Sequence, residues 1–216
     1  MPLYTAEALV LRTYKLGEAD RIVVFLTRDR GKKRGVAKGA RRPRSSFTGA
    51  LEPMTEVRVA YFEKERRELV GLNYAETYRS PLTLANQEAL GYVSYFAELL
   101  DEWAQEADAD DRLYRLGASM LDALATGAPV EPLARYFEYW LLRLQGVYPE
   151  SQAGLSDAAA AFLAGSRTVP PQQLASVPIE PRALRELENV HRMFISMHLE
   201  KTWESDRVLR DLRRHA

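Results

Sequence analysis

The sequence contains no cysteine. This absence excludes a disulfide framework, a zinc or iron–sulfur site with cysteine ligands, and catalysis by a thiol. The sequence also has no apolar run near the ~20 residues that a membrane helix requires. Residues 1–7 lack the basic and apolar regions of a secretory signal peptide. We therefore expect a soluble protein of the cytoplasm that does not enter a membrane.

Histidine is scarce, and only His191, His198 and His215 are present. His191 and His198 share a predicted helix face but lie about 10 Å apart along the helix axis, too far to bind one metal ion. No glycine-rich loop ends in Gly-Lys-Ser or Gly-Lys-Thr, so the sequence offers no phosphate loop for nucleotide hydrolysis. We therefore expect no metal, no cofactor and no enzymatic activity.

The net charge of zero conceals an uneven distribution. Residues 1–80 hold 17 Lys and Arg against 10 Asp and Glu, a net charge of +7. Residues 81–216 hold 13 Lys and Arg against 20 Asp and Glu, a net charge of −7. With 46% hydrophobic and 28% charged residues, the composition is globular. We expect two domains, a basic one over residues 1–80 and an acidic one over residues 81–216.

The densest positive charge lies in residues 28–44. A field of one sign at this density favours a polyanionic partner, and a solvated surface loop is the alternative. Gly31, Gly35 and Gly39 interrupt the run, so the backbone there can approach a ligand closely. Together, the charge and the spacing favour nucleic-acid binding. Against the single acid Asp29 stand nine cations: Arg28, Arg30, Lys32, Lys33, Arg34, Lys38, Arg41, Arg42 and Arg44.

The basic domain has the pattern of a small β-barrel. Residues 54–62 alternate, with Val57, Val59 and Tyr61 on one face of a predicted strand. Five such segments without a helical period fit a five-stranded Greek-key barrel, and the OB-fold is the commonest solution. The predicted strands are residues 6–14, 21–27, 33–39, 54–62 and 69–74, and charged residues 63–68 form the last hairpin.

The acidic domain has the pattern of a helical domain. Apolar residues recur at spacings of three and four, which is the period of an α-helix with one buried face. The whole chain is therefore predicted to be α+β, an N-terminal OB-fold barrel followed by an all-helical domain. The apolar stripes cover residues 90–103, 113–124, 133–144 and 184–197, with a further short helix near residues 155–163.

Several stretches of the sequence resemble one family, RecO, the bacterial recombination mediators. In the first domain, Glu18 to Val23, Val36 to Arg42 and Gly49 to Pro53 resemble the N-terminal signature of that family in order and spacing. Later, Tyr148 to Glu150 follows a stretch that is similar to the family's central helix, and His198 to Leu209 resembles its C-terminal helix pair. The resemblance spans most of the chain and is most specific in residues 6–80.

The resemblance implies a function in DNA repair. It implies binding to single- and double-stranded DNA, annealing of complementary strands, and a location at the nucleoid. It also implies partnership with RecR and with the single-stranded-DNA-binding protein SSB, to load RecA. Many members carry a four-cysteine zinc site, but residues 151–171 contain no cysteine. We therefore expect this region to be held by packing and to bind no zinc.

Cations of the first domain are the predicted DNA contacts, because lysine and arginine bind phosphates without reading the base sequence. We expect Arg34, Lys38, Arg41 and Arg42 to contribute most, with Lys32, Lys33 and Arg44 in support and with Arg12 and Lys15 extending the track. Tyr14, Phe47 and Tyr61 are candidates for stacking on bases, with packing as the alternative for each.

The resemblance places the site for the acidic SSB tail in the helical domain. Arg135, beside Tyr136 and Phe137, matches a basic position of that region, and Arg143 is a second candidate. Pairing with nearby acids is the alternative for both arginines.

Two other functions stay open. One is a generic OB-fold adaptor that binds nucleic acid and does not anneal strands. The other is a metal-dependent nuclease that uses Asp108, Asp110 and Asp111, although no further acidic motif supports this triplet.

Overall fold

The computed structural model describes residues 2–63, 68–84, 87–149 and 154–199. Five strands come first: β1 (Leu3–Leu16), β2 (Asp20–Thr27), β3 (Gly31–Ala37), β4 (Glu56–Phe62) and β5 (Val70–Arg79). Five α-helices follow: α1 (Gln87–Trp103), α2 (Asp111–Ala125), α3 (Val130–Leu144), α4 (Asp157–Gly165) and α5 (Pro181–Leu199). Short 3-10 helices cover Pro81–Thr83 and Pro171–Ser176. None of the described helices is long and apolar enough to cross a membrane.

The five strands close into a barrel with the order β1-β2-β3-β5-β4. Neighbouring strands are antiparallel except β3 and β5, which pair in parallel over Gly35–Ala37 and Val70–Leu72. This is the topology of an OB-fold, so the predicted α+β fold class is confirmed. Part of the β4–β5 hairpin, residues 64–67, lies outside the described residues.

Alternation along the strands decides which side chains fill the barrel. Val10, Val23, Phe25 and Tyr61 point inward and are at most 1% exposed. A bulge in β1 between Val10 and Arg12 shifts the register. Because side chains alternate with a period of two, this shift leaves Arg12 and Tyr14 on the outer face.

The first compact unit takes the described residues of Met1–Thr83 and of Val93–Leu121. It therefore holds the barrel and most of α1 and α2. Gly117 of α2 has no side chain, and a Cβ there would lie 2.7 Å from Leu9 Cδ1 of β1. Tyr114 of α2 donates its hydroxyl to Glu56 Oε1 at 2.7 Å. The expected division at residue 80 rests on charge and stays a prediction.

The second unit takes the described residues of Leu84–Tyr92 and those from Asp122 onward. Its buried side chains include Phe137 and Leu141 of α3, Phe162 of α4, and Leu187 of α5. Ser156 caps α4, because its hydroxyl accepts a hydrogen bond from the Ala159 amide. Apart from residues 151–153, which lie outside the described part, the cysteine-free region 151–171 thus contains a capped helix with a buried face.

Candidate nucleic-acid interface

The cations in the first half of the basic run, residues 28–34, are paired with acids of their own unit. Arg28 contacts both Glu7 Oε2 at 2.9 Å and Asp111 Oδ1 at 2.8 Å. The other four cations of this half also have carboxylate partners, at distances of 2.8 to 3.6 Å. These pairs are Arg30 with Asp29, Lys32 with Asp101, Lys33 with Glu63, and Arg34 with Glu106.

The segment from Asp101 at the end of α1 to Asp111 at the start of α2 supplies three of these acids, Asp101, Glu106 and Asp111, and its middle part lies against β3. The Lys32 amide donates to the Gln105 carbonyl at 2.9 Å, and Lys32 Nζ donates to the Asp101 carbonyl. Gly31 has φ +68°, and a Cβ there would lie 2.4 Å from the Asp108 carbonyl oxygen. Gly31 therefore admits another part of this chain. The interpretation that it admits a ligand was wrong.

The second half of the run has a different environment. We call Lys38, Arg41, Arg42 and Arg44 the basic loop, and all four side chains are exposed. Within the described residues, none of the four forms an ion pair. Their charge is therefore available to an external anion.

Hydrogen bonds hold the basic loop against the turn between β1 and β2. Arg41 donates from its amide to the Ala19 carbonyl and from Nη1 to the Gly17 carbonyl, both at 2.9 Å. The Gly39 amide donates to Asp20 Oδ1 at 2.7 Å. Lys15, two residues before this turn, is exposed and without an ion pair among the described residues. The structure thus places Lys15 at the same end of the barrel as the basic loop.

Arg12 precedes Lys15 on β1, and its guanidinium already contacts a carboxylate. Its Nε lies 3.3 Å from Asp101 Oδ2, the carboxylate that also contacts Lys32. The Arg12 side chain is 36% exposed and the Lys32 side chain 10% exposed. A phosphate at either residue would therefore compete with Asp101.

The three candidate stacking residues have different positions. Tyr14 is 47% exposed on the outer face of β1. Phe47 is 5% exposed and Tyr61 is fully buried, and both belong to the barrel core. Burial raises the pKa of Tyr61 to about 12, because its anion would lose hydration. The stacking hypothesis was therefore wrong for Phe47 and Tyr61.

Both candidate residues for the SSB tail lie on α3 in the second unit. Arg135 is 4% exposed, with Nη2 2.8 Å from Glu138 Oε1 and Nη1 3.7 Å from Glu188 Oε2. Arg143 is exposed, and its Nη1 donates to the Tyr139 hydroxyl oxygen at 2.9 Å. A peptide carboxylate can reach Arg143 directly, whereas it would have to displace Glu138 from Arg135. The roles of both in peptide binding stay predictions.

A buried histidine completes the environment of Glu138, and the sequence did not indicate it. His191 of α5 is fully buried, with Nδ1 3.0 Å from Glu138 Oε2. Burial lowers the pKa of His191, although the neighbouring Glu138 carboxylate opposes the shift. The helical period alone could place His191 on the inner face with Leu187 and Ile195, but not name its partner.

Two members of the acidic triplet, Asp110 and Asp111, have structural roles. Asp110 Oδ1 accepts hydrogen bonds from the amides of Arg112 and Leu113, both at 3.0 Å, and so caps α2. Asp111 contacts Arg28 and also Arg115, the latter at 2.9 Å. Across the described ranges, no group of three or more histidine and acidic side chains is placed to hold a metal ion.

Two family models match the chain. "Recombination protein O N terminal" matches residues 1–81, and "Recombination protein O C terminal" matches residues 85–155. The chain belongs to the RecO family. The basic loop lies within the N-terminal match, whereas α4 and α5 follow the C-terminal match, so the buried His191 lies outside both.

Individual RecO proteins show the same relationship. "DNA repair protein RecO" of Koribacter versatilis is 41% identical over 152 residues, 68% of this chain and 61% of the relative. The protein of that name from Bifidobacterium adolescentis is 46% identical over 132 residues, 59% of this chain and 52% of the relative. That of Desulforudis audaxviator is 40% identical over 154 residues, 69% of this chain and 59% of the relative. The matched parts thus span between about half and three fifths of these RecO relatives.

Proposed function

We propose that this RecO-family chain is a DNA-binding recombination mediator in DNA repair. It binds single- and double-stranded DNA, anneals complementary strands, and works with RecR and SSB to load RecA onto SSB-coated DNA. The observation that carries the DNA-binding part is the basic loop, four exposed cations with no acidic partner in the described structure. Membership of the RecO family and the name "DNA repair protein RecO" of its relatives support the pathway.

The proposed mechanism is electrostatic and needs no bond to be made or broken. Two DNA strands repel each other through their phosphates, and a cationic surface that holds both reduces this repulsion. The basic loop with Lys15 provides the principal phosphate contacts. Arg34, Arg12, Lys32 and Lys33 are secondary contacts, because each already has a carboxylate partner. The chain then acts as a surface on which complementary strands meet.

The proposed partnership with SSB concerns the second unit. The acidic SSB tail would contact Arg143 first, since this guanidinium is exposed and its nearest polar partner is the neutral Tyr139 hydroxyl. Guanidinium groups bind carboxylates through paired, charge-assisted hydrogen bonds. Arg135 would contribute to the site indirectly, through its ion pairs with Glu138 and Glu188.

The decisive experiment is strand annealing with SSB-coated complementary oligonucleotides that carry a fluorophore and a quencher. We expect the wild-type protein to accelerate annealing without ATP. We expect Lys38→Ala/Arg42→Ala to lower DNA affinity and the annealing rate at least about tenfold, because a hydrogen bond to a charged group contributes about 1.5–3 kcal/mol. Arg112→Ala/Arg115→Ala is the matched control, since it removes two exposed cations of α2 that contact Asp110 and Asp111.

Each outcome separates one function from another. Annealing by the wild type and by the control, and not by the loop variant, supports the mediator. DNA binding without annealing identifies the generic OB-fold adaptor instead. Cleavage of labelled DNA in Mg²⁺ or Mn²⁺ would identify a nuclease, although Asp110 and Asp111 are engaged in capping and ion pairing.

A further inference from the structure

An apolar row crosses the outer face of three adjacent strands. Tyr14 of β1 pairs with Ile22 of β2, and Ile22 pairs with Val36 of β3. We call these three residues the Tyr14 row. Tyr14 is 47% exposed, and Ile22 and Val36 are half-buried. Side chains directly opposite each other on one face of a sheet are close neighbours. The row is therefore a continuous apolar strip that solvent can reach.

Cations lie on either side of this strip. The adjacent row along the strands is Arg12, Val24 and Arg34, in the same register. On the other side, Lys38 comes directly after β3, two residues beyond Val36, and begins the basic loop. Arg12 Nη1 also lies 3.4 Å from the Tyr14 hydroxyl oxygen. An apolar strip between cations on an exposed sheet matches a ligand that is itself apolar in the middle and anionic along its edge.

A single nucleic-acid strand has this distribution, because its bases present apolar faces and its phosphates run alongside. Base faces stack on aromatic side chains whatever the base. Adjacent strands lie about 4.8 Å apart, so the row spans about 10 Å. That length exceeds the spacing of about 3.4 Å between stacked nucleotides, so the row has room for more than one unstacked base. In a duplex the base faces are covered by their neighbours, so a duplex can use only the cations.

We propose that the Tyr14 row receives unstacked bases of single-stranded DNA while the sugar–phosphate chain follows the basic loop. The Tyr14 ring provides the stacking surface, and Ile22 and Val36 extend it. This inference rests on the proposed function and adds to it that the barrel distinguishes single strands from duplex DNA. The preference arises from base faces and is independent of base sequence.

The test compares three probes of equal length by fluorescence anisotropy at one salt concentration: an oligo-dT strand, the same strand with abasic sites throughout, and a duplex. We expect wild-type protein to bind oligo-dT at least about fivefold more tightly than the abasic strand. Tyr14→Ala should remove most of that difference and leave the abasic and duplex affinities unchanged. Tyr14→Phe should preserve the difference, since the ring carries the contact. Tyr78→Ala is the matched control, because Tyr78 on β5 is 49% exposed.

The results distinguish failure of the Tyr14-row inference from failure of the proposed DNA-binding function. If wild-type protein binds the abasic strand as tightly as oligo-dT, the Tyr14 row does not receive bases and this inference is overturned. That comparison needs no variant. If Tyr14→Ala weakens all three probes equally, or Tyr78→Ala has the same effect as Tyr14→Ala, the inference is also overturned. If wild-type protein binds none of the probes, the proposed DNA-binding function itself fails.

Discussion

Arg135 and Arg143 lie about two helical turns apart on α3, but their surroundings differ. Arg135 is 4% exposed and lies between Glu138 and Glu188, while Arg143 is exposed beside Tyr139. A buried charge is tolerated only when an opposite charge compensates it, so Arg135 and Glu138 depend on each other. An exposed arginine has no such dependence. Substituting the two residues should therefore have different consequences.

We predict that Arg135→Ala destabilises the protein by about 3–5 kcal/mol, because it removes the guanidinium that compensates the buried Glu138 carboxylate. Arg143→Ala should change the free energy of unfolding by less than about 1 kcal/mol. Urea unfolding followed by circular dichroism measures both changes. A wild-type unfolding midpoint for Arg135→Ala would show that the buried ion pair contributes little.

The same two variants test the SSB site when a labelled SSB-tail peptide is titrated under conditions where each variant is folded. Arg143→Ala should lower the affinity for the peptide. It should leave the affinity for oligonucleotides unchanged, because the basic loop lies in the other unit. Unchanged peptide affinity in Arg143→Ala would place the peptide site elsewhere.

At the residue scale, the sequence shows the cations but not their partners. The excess of charge in residues 28–44 is visible in the sequence, and the basic loop is the part of it that forms no ion pair with any acid the structure describes. Lys32 and Asp101 are 69 residues apart, and Arg28 and Asp111 are 83 apart. No local pattern links residues at such separations. The division of the run into a paired half and an available half therefore required the structure.

The connection between α1 and α2, with the helix ends that flank it, supplies three of the acids behind this division. It lies along the first half of β3, where Lys32 and Glu106 form a bridge in parallel orientation. The parallel pairing of β3 with β5 covers only the second half of β3, from Gly35 to Ala37. The connection thus pairs with an edge that the barrel leaves open. Gly31 makes this approach possible.

We predict that Gly31→Ala is destabilising by about 2 kcal/mol or more, because the new Cβ would overlap the Asp108 backbone in addition to straining a positive φ. Gly17→Ala is the matched control, since Gly17 has φ +59° and open space around its Cβ position. The control should lose only about 1 kcal/mol from the backbone strain. Denaturant unfolding of the two variants gives the difference, and equal losses would mean that the connection can shift to accommodate the methyl group.

At the scale of elements, the periodicity of apolar residues was sufficient to predict the type and the order of the strands and helices. The alternation of Val57, Val59 and Tyr61 predicted β4, and the three-and-four spacing predicted four helices of the described chain, which the structure contains. Ends were less predictable. β5 continues to Arg79, five residues beyond the predicted end, because it pairs with β4 as far as Glu56. Such an end is set by the partner strand, which the segment's own residues do not encode.

The charge of the whole molecule is divided along the chain, with +7 in residues 1–80 and −7 in residues 81–216. A net charge of zero gives no overall attraction to DNA, so the proposed binding requires a local field. Ion pairs of Lys33 and Arg34 with Glu63 and Glu106 weaken that field on one side of the barrel. The basic loop and Lys15 retain it at the end near the β1–β2 turn.

We predict a strong dependence of single-stranded DNA binding on salt, with a log–log slope of about −0.7 per phosphate contacted. Lys38→Ala/Arg42→Ala should make the slope less negative by about 1.4, one increment for each lost contact. Arg112→Ala/Arg115→Ala should leave the slope unchanged although it removes the same charge. Titrations between low and physiological salt measure the slopes. A wild-type slope near zero would contradict electrostatic binding.

The hydrogen bonds that tie Gly39 and Arg41 to the β1–β2 turn also bear on how fast the chain would capture DNA under the proposed function. A loop that is ordered before it meets its ligand loses little conformational entropy on binding, and no folding step precedes contact. Association is then limited by diffusion and orientation, and oppositely charged surfaces accelerate it further. If the proposed function holds, complementary strands would bind as fast as they diffuse to the loop, and the time they stay bound would determine whether they pair.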